Sequence, residues 1–295
     1  MKIILFGAGA SFGSEANKEY TPPLGPNLFK KLESRGGVAS SIPNEIKSLF
    51  HEDFESGMRE YNIHTNNNSM TFQRELAHYL AEFSPNENNA YSEVIKEFGV
   101  NNITYVSLNY DLLFEQCAGQ MNFGITYSSK KQNMMASLLK IHGSSNFWPT
   151  ISLGGGITFS GNKVDVESDV QPLNQIQTLK RCKEDKGLAP ALAHYAVGKD
   201  IKVCPSFVSR QSDEWKVSVT EAKKIAVIGV KVHEVDTHIW DELGKSKASI
   251  WYVGFDSDKT AFNVWKERHN KTNAFFIESD FQSCVSIIKK RFKGN

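Results

Sequence analysis

The chain has 295 residues, 40% of them hydrophobic, and 34 lysines and arginines against 33 aspartates and glutamates, for a formal charge of +1. A chain of this length can bury one large core, so the expected organisation is a single elaborated domain spanning 1–295 with an inserted segment. A near-neutral balance gives no field that would draw the whole molecule to nucleic acid or an anionic membrane, and neither direct nucleic-acid binding nor membrane attachment is expected.

The first element is a strand over residues 2–6, an apolar run preceded by no charged leader and far too short for a signal core or a membrane span. A cytoplasmic location is the expectation. The run passes into Gly7-Ala8-Gly9-Ala10-Ser11-Phe12-Gly13. A buried strand that breaks into glycines and then a helix leaves backbone N–H groups beside the positive end of a helix dipole, which is how proteins hold phosphates, and Ser11 can add a hydroxyl donor. A side chain at Gly9 would block close approach of the backbone to a pyrophosphate. The dinucleotide fingerprint of dehydrogenases has a third glycine where Phe12 stands, which disfavours an ordinary dehydrogenase. A glycine turn with no ligand is the plain alternative.

The next strand lies at 103–107, and the interval before it reads as helical: Phe72, Leu76, Tyr79, Leu80 and Phe83 recur at helical spacing, as do Tyr91, Val94, Ile95 and Phe98. Because a simple crossover needs only about a dozen residues, residues 13–100 form a helical insertion, interrupted by a polar loop at 64–69. A helix from near Tyr110, an apolar segment at 123–127 and a strand at 137–141 follow. Residues 150–200, with Gly154, Gly155 and Gly156, read as mixed loop and hairpin. Beyond them helices (213–223, 236–243, 259–269) alternate with strands (225–229, 248–253, 274–277), and a last helix carries Phe281, Cys284, Val285, Ile288 and Phe292 on one face. This alternation predicts an α/β fold: a Rossmann-like, mainly parallel sheet with helices on both faces and a helical insertion. The basic cluster Lys289, Lys290, Arg291 and Lys293 suits the negative end of that last helix. Cys117, Cys182, Cys204 and Cys284 have neither zinc-ligand nor disulfide-framework spacing, so no structural metal is expected.

In open parallel sheets ligands bind beyond the carboxyl ends of the strands. Four segments there carry chemistry: Gly7 to Ser11; Asn109-Tyr110-Asp111; Lys140-Ile141-His142-Gly143; and Gly229 with the more distant Asp236. Each also has a plain explanation. Asn109 and Asp111 suit a helix cap, and His142 before glycine suits a turn. Together they place a phosphate-binding turn, a carboxamide beside a carboxylate and an imidazole at one sheet edge.

GAGAS at 7–11, NYD at 109–111, KIHGSSNF at 140–147 and IGVKVHEVDTHIW at 228–240, in this order, resemble the sirtuin-like NAD-binding fold, and within it the bacterial NAD-hydrolysing branch of antiphage defence systems. Residues 21–29, TPPLGPNLF, are similar to the Pro-Gly loop and helix near the adenine and nicotinamide ends in that branch. The resemblance implies that Gly7, Ala8, Gly9, Ala10 and Ser11 hold the NAD phosphates and that Asn109 is the catalytic asparagine. It places Asp111 near the nicotinamide-side ribose, makes His142 the catalytic histidine, and puts Gly229 and Asp236 along the adenosine side. It also implies NAD as substrate with no metal, a homo-oligomer, and gating by a helicase-like ATPase or a phage-derived activator. The chain departs from protein-deacylating sirtuins: the region after His142 has only Cys182 and Cys204 where they carry a four-cysteine zinc module, Leu108 replaces their Gln, and Val230-Lys231 replaces small hydroxyl residues.

Nicotinamide leaves NAD from a cationic pyridinium, so cleavage needs stabilisation of positive charge on the ribose and an oriented nucleophile more than a strong acid. Asn109 is suited to hold a water or ribose hydroxyls, Asp111 to support it, and His142 to accept a proton. The expected activity is NAD hydrolysis to nicotinamide and ADP-ribose in an abortive-infection role. The alternatives are a protein deacylase or ADP-ribosyltransferase using the same NAD, and a non-catalytic nucleotide-sensing domain.

Overall fold

The computed structural model describes residues 1–150, 156–160, 163–193, 202–233 and 236–294; Gly154, Gly155 and the Glu234-Val235 part of the late segment lie outside the described residues. The chain enters the sheet with Lys2–Phe6 (β1) and continues through the short helix Ala8–Gly13 (α1). Gly25–Ser34 (α2), Gly37–Ser41 (α3), Asn44–Glu52 (α4), Phe54–His64 (α5), Met70–Ala81 (α6) and Ala90–Phe98 (α7) then precede Ile103–Ser107 (β2), so the predicted insertion is helical. Leu113–Gln120 (α8), Gly124–Thr126 (β3) and Met135–Lys140 (β4) follow. The irregular stretch contains Phe147–Pro149 (β5), Gly156–Ser160 (β6), Lys163–Glu167 (β7), Val170–Pro172 (β8) and Gln175–Glu184 (α9). The alternating part comprises Pro205–Glu221 (α10), Lys224–Ile228 (β9), Thr237–Lys245 (α11), Ser249–Gly254 (β10), Asp256–Arg268 (α12), Ala274–Glu278 (β11) and Phe281–Lys293 (α13).

The central sheet has seven strands in the order β11-β10-β9-β1-β2-β4-β3, and every pairing in it is parallel. This is a Rossmann-like α/β arrangement. Successive side chains of a strand point to opposite faces, so Ile4 and Phe6 of β1 enter one core while Ile3 and Leu5 enter the other. The first core is closed by α7, α8 and α13 through Tyr91, Ile95, Phe114, Phe281 and Ile288. Trp215 of α10, Ile239 and Trp240 of α11, and Phe262 and Trp265 of α12 close the second. Each such side chain, fully buried, contributes about 1.5–3 kcal/mol relative to exposure. The inserted helices keep an aromatic core of their own, where Phe29 stacks on Phe50 with centroids 4.2 Å apart and Phe50 meets Phe54 and Phe72.

Register levels the strand ends. Phe6 pairs with Ser107 and with Ile228, and Ser107 pairs with Lys140. Gly7, the segment after Ser107, the segment after Lys140, and Gly229 therefore leave the sheet at one edge. The chain moves outward from β1 on one side through β2 and β4 and later returns to the other side at β9, so that edge includes the topological switch point where α/β sheets bind ligands.

Two expectations need correction. Among its described residues the stretch at 150–200 holds the antiparallel hairpin β6/β7, in line with the hairpin reading, and the strand β8, which pairs with β5 just ahead of the stretch, but also the helix α9. Only Thr178 and Cys182 of α9 are buried, too few apolar positions to give a helical period. Its signal was the capping box, in which Asn174 accepts from the Gln177 amide and Gln177 reaches back to Asn174. Likewise α10 begins at Pro205, eight residues before the expected start, with proline in its first turn where a missing N–H costs no hydrogen bond. Among the described residues no helix is long and apolar enough to cross a membrane.

Candidate functional site

The turn after β1 packs against the turn after β9. Gly7 N–H donates to the Ile228 carbonyl at 3.0 Å and Gly9 N–H to the Gly229 carbonyl at 2.9 Å. Gly229 has φ of +64°, and a Cβ there would lie 2.0 Å from the Ala10 nitrogen; a Cβ on Gly9 would lie 2.9 Å from the Gly229 Cα. The glycines are thus required by the close approach of two backbone segments. Two of the amides expected to face a phosphate are engaged in that approach, and a side chain at Gly9 would strike Gly229 before it could meet a ligand.

Ser11, Asn109, Asp111 and Tyr91 form one buried polar cluster. The Ser11 hydroxyl donates to Asp111 Oδ2 at 2.7 Å and accepts from Asn109 Nδ2 at 2.8 Å. A hydroxyl has a single proton, so Tyr91, 2.9 Å from Ser11 Oγ, is the donor in that bond. Burial, followed by the nearby Asp111 charge, raises the Tyr91 phenol well above its ordinary range and keeps it protonated. Ser11 therefore organises its neighbours and has no proton left for a phosphate. Asn109 Nδ2 also donates to the Gly7 carbonyl at 2.8 Å. A carbonyl can only accept, which orients the amide: nitrogen toward the glycine turn, Oδ1 away from it. Among the described residues none donates to Asn109 Oδ1 within hydrogen-bond reach.

Asp111 stands one residue ahead of the α8 N-cap, Leu112. Its Oδ1 accepts from the Leu113 amide at 3.1 Å, at the start of α8, while Oδ2 holds Ser11. Its backbone is braced from β4: buried Lys140 donates from Nζ to the Asp111 carbonyl at 2.7 Å and lies 3.2 Å from Glu115. Burial raises the Glu115 carboxyl and the Lys140 charge opposes that shift. Tyr127 donates to Glu115 at 3.3 Å and accepts from Asn146 at 2.8 Å, so the network runs on into the segment after His142. Lys140 has no role in the sequence motif that carries it. A lysine among Leu138, Leu139 and Ile141 in a strand covered on both faces has to bury its ammonium against a carboxylate, and that was the available signal.

His142 lies two residues past β4, 7% exposed. Gly143, with φ of +83°, turns the chain so that a Cβ there would fall 2.0 Å from the Ala191 carbonyl oxygen, and the Ala193 amide donates to the His142 carbonyl at 2.8 Å. The imidazole reaches His238 on α11, Nε2 to Nε2 at 2.7 Å. In sequence His238 reads as one polar residue in an amphipathic helix start, with no signal of a partner 96 positions away. Asp236 stands at the N-cap position of α11, two residues before it. The fold thus brings the Gly7 turn, Asn109, Asp111, His142 and Gly229 to one edge, with Asp236 beside them in the chain segment that carries His238. Surface depressions of about 530 and 340 Å³ lie instead against α9, the first lined by residues such as Arg181 and Asp185 and the second by Arg74, Glu75 and Asp185, and contain none of these side chains.

No protein-family model matches this chain, and no curated protein matches it.

Proposed function

We propose that the protein is a sirtuin-like NAD glycohydrolase, cleaving the bond between nicotinamide and ribose to release nicotinamide and ADP-ribose. The observation that carries this reading is Asn109, locked by its amide nitrogen onto the glycine turn with Oδ1 directed away, at the end of the strand beside the one that delivers His142. When NAD is bound, its pyridinium supplies a leaving group that departs as neutral nicotinamide. The protein has to orient a water and favour positive charge on the ribose.

In this reading Asn109 Oδ1 accepts a hydrogen bond from the water or a ribose hydroxyl, and His142 takes the proton that the water gives up. Asp111 holds Ser11, and through it Asn109, and its carboxylate favours positive charge nearby. The phosphates are assigned to the outer side of the glycine turn at Ala8, whose amide is not engaged by Ile228 or Gly229, while the Gly7, Gly9 and Ala10 amides and the Ser11 hydroxyl hold the turn itself. Gly229 and Asp236 are assigned to the adenosine side. A cytoplasmic antiphage effector that acts as a homo-oligomer, released by a helicase-like ATPase or a phage-derived activator, is the setting that the four-segment resemblance supports.

Purified protein incubated with NAD, with and without an acylated peptide, tests the reading. Nicotinamide and ADP-ribose formed from NAD alone support hydrolysis. Turnover only with peptide supports deacylation or ADP-ribosyl transfer, and saturable NAD binding without turnover supports a nucleotide sensor.

A further inference from the structure

The helical insertion meets α9 along the cleft of about 340 Å³, which is lined by the α2–α3 turn, by Arg74, Glu75 and His78 of α6, and by Lys183, Asp185 and Lys186 at and just past the end of α9. Arg74 is only 7% exposed. Its guanidinium donates to the Leu188 carbonyl at 2.9 Å and to the Thr71 hydroxyl at 3.1 Å, both uncharged, and among the described residues no carboxylate lies within ion-pairing distance of it. A buried charge without a counter-charge is costly, so such groups are found paired or against an ion of opposite sign. The carboxylates that line the cleft are engaged by the fold. Glu75 accepts from the Val38 amide at 2.7 Å and the Ala39 amide at 3.3 Å, while Asp185 accepts from the amides of Gly187 at 3.0 Å and Leu188 at 2.8 Å and lies 3.7 Å from Arg181. Lys183 and Lys186 are exposed and, among the described residues, in no ion pair. His78 holds Glu82 through Nδ1 at 3.0 Å, and its buried Nε2 has no hydrogen-bond partner. The cleft therefore carries an uncompensated positive charge with one buried cation in its wall.

We propose that this cleft binds a small phosphate-bearing molecule, whose phosphate is held by Arg74, Lys183 and Lys186 and ties the helical insertion to α9. A phosphate group carries about −1.5 to −2 charge near neutral pH and presents several acceptor oxygens. That suits one planar guanidinium fork and two flexible ammonium groups better than a single carboxylate does. Arg74 is already held by Leu188 and Thr71, so its other N–H groups meet the anion with little further ordering, which lowers the cost of binding. The two lysines approach from the solvent side on exposed stems. The cleft shares no residue with the sheet edge, so the inference goes beyond the NAD reading and does not depend on it.

The test is calorimetric titration of inorganic phosphate and of pyrophosphate into the full chain at constant ionic strength, using wild type, Arg74→Gln and the double variant Lys183→Ala/Lys186→Ala. Glutamine keeps an amide that can donate to Leu188 or Thr71 and lacks the charge. The lysines are exposed, so their replacement leaves the fold in place, which unfolding curves check. Wild type should bind at least one of the two anions saturably, and each variant should bind it about tenfold to a hundredfold more weakly, the usual worth of hydrogen bonds to a charged group. If Arg74→Gln loses the near-ultraviolet signature of the fold, the lysine variant decides alone. Absence of saturable binding of either anion to wild type overturns the proposal. So does wild-type affinity in either folded variant, which would place the anion at the glycine turn or elsewhere on the surface.

Discussion

At the scale of single residues, the polar groups of the site divide into those that hold the fold and those left for chemistry. His142→Ala should reduce NAD cleavage about a hundredfold to ten-thousandfold, the usual worth of a general base, in a fluorescence assay with thermal unfolding close to wild type. Asn109→Ala should lower turnover and also destabilise by about 1–3 kcal/mol in urea titration, because the Gly7 carbonyl and Ser11 lose their donor. Gly9→Val reads from sequence as a binding lesion, yet its Cβ would lie 2.9 Å from the Gly229 Cα. It should instead destabilise by about 1–3 kcal/mol, as overpacking does, and a wild-type unfolding midpoint would refute that. Lys140→Met leaves Glu115 buried without its cation, at a cost of about 3–5 kcal/mol, and adding Glu115→Gln should recover most of the loss. A carboxyl whose folded value is raised makes the fold less stable as pH climbs through the interval above the ordinary glutamate value of about 4.3. Burial raises Glu115 and Lys140 opposes it, so the deficit of Lys140→Met should widen from pH 4 to pH 8 in paired denaturation curves.

At the scale of elements, the strands were legible because β1, β2, β4, β9 and β10 are short runs buried on both faces, and the register that levels their ends follows from pairing them in parallel. Legibility failed where burial is sparse, as in α9, with Thr178 and Cys182 alone inside, and where a side chain's partner is distant in sequence. Asn109 and His142 could be named because they follow strands. The Ser11, Tyr91 and His238 contacts span 80 to 100 positions and have no local pattern. Helix caps are local: the bond is made within the same turn. Asp280 accepts from the Ser283 amide at 2.8 Å at the start of α13, and that bond holds its carboxyl below the usual range. Asp280→Ala should cost about 0.5–2 kcal/mol. A depressed folded value means stability that is present above the unfolded pKa and lost as pH falls through the folded one. The difference between the two proteins should therefore shrink below about pH 4; a gap independent of pH from 2 to 7 would show that the cap bond is not made by the carboxylate.

At the scale of the whole molecule, a seven-stranded parallel sheet positions a candidate site whose described parts come from residues 7–11, 109–111, 142, 229, 236 and 238. The inserted helices add their own aromatic core beside it. From these helices Tyr91 of α7 reaches Ser11. The proposed function requires that this sheet edge bind NAD and that His142 take part in its hydrolysis. The most direct measurement is titration of NAD into wild type and His142→Ala by calorimetry, with the products of each mixture separated by chromatography. The account requires saturable binding to both proteins, with nicotinamide and ADP-ribose appearing in equal amounts from wild type alone. Absence of binding to folded wild type, or parental cleavage by His142→Ala, would contradict it.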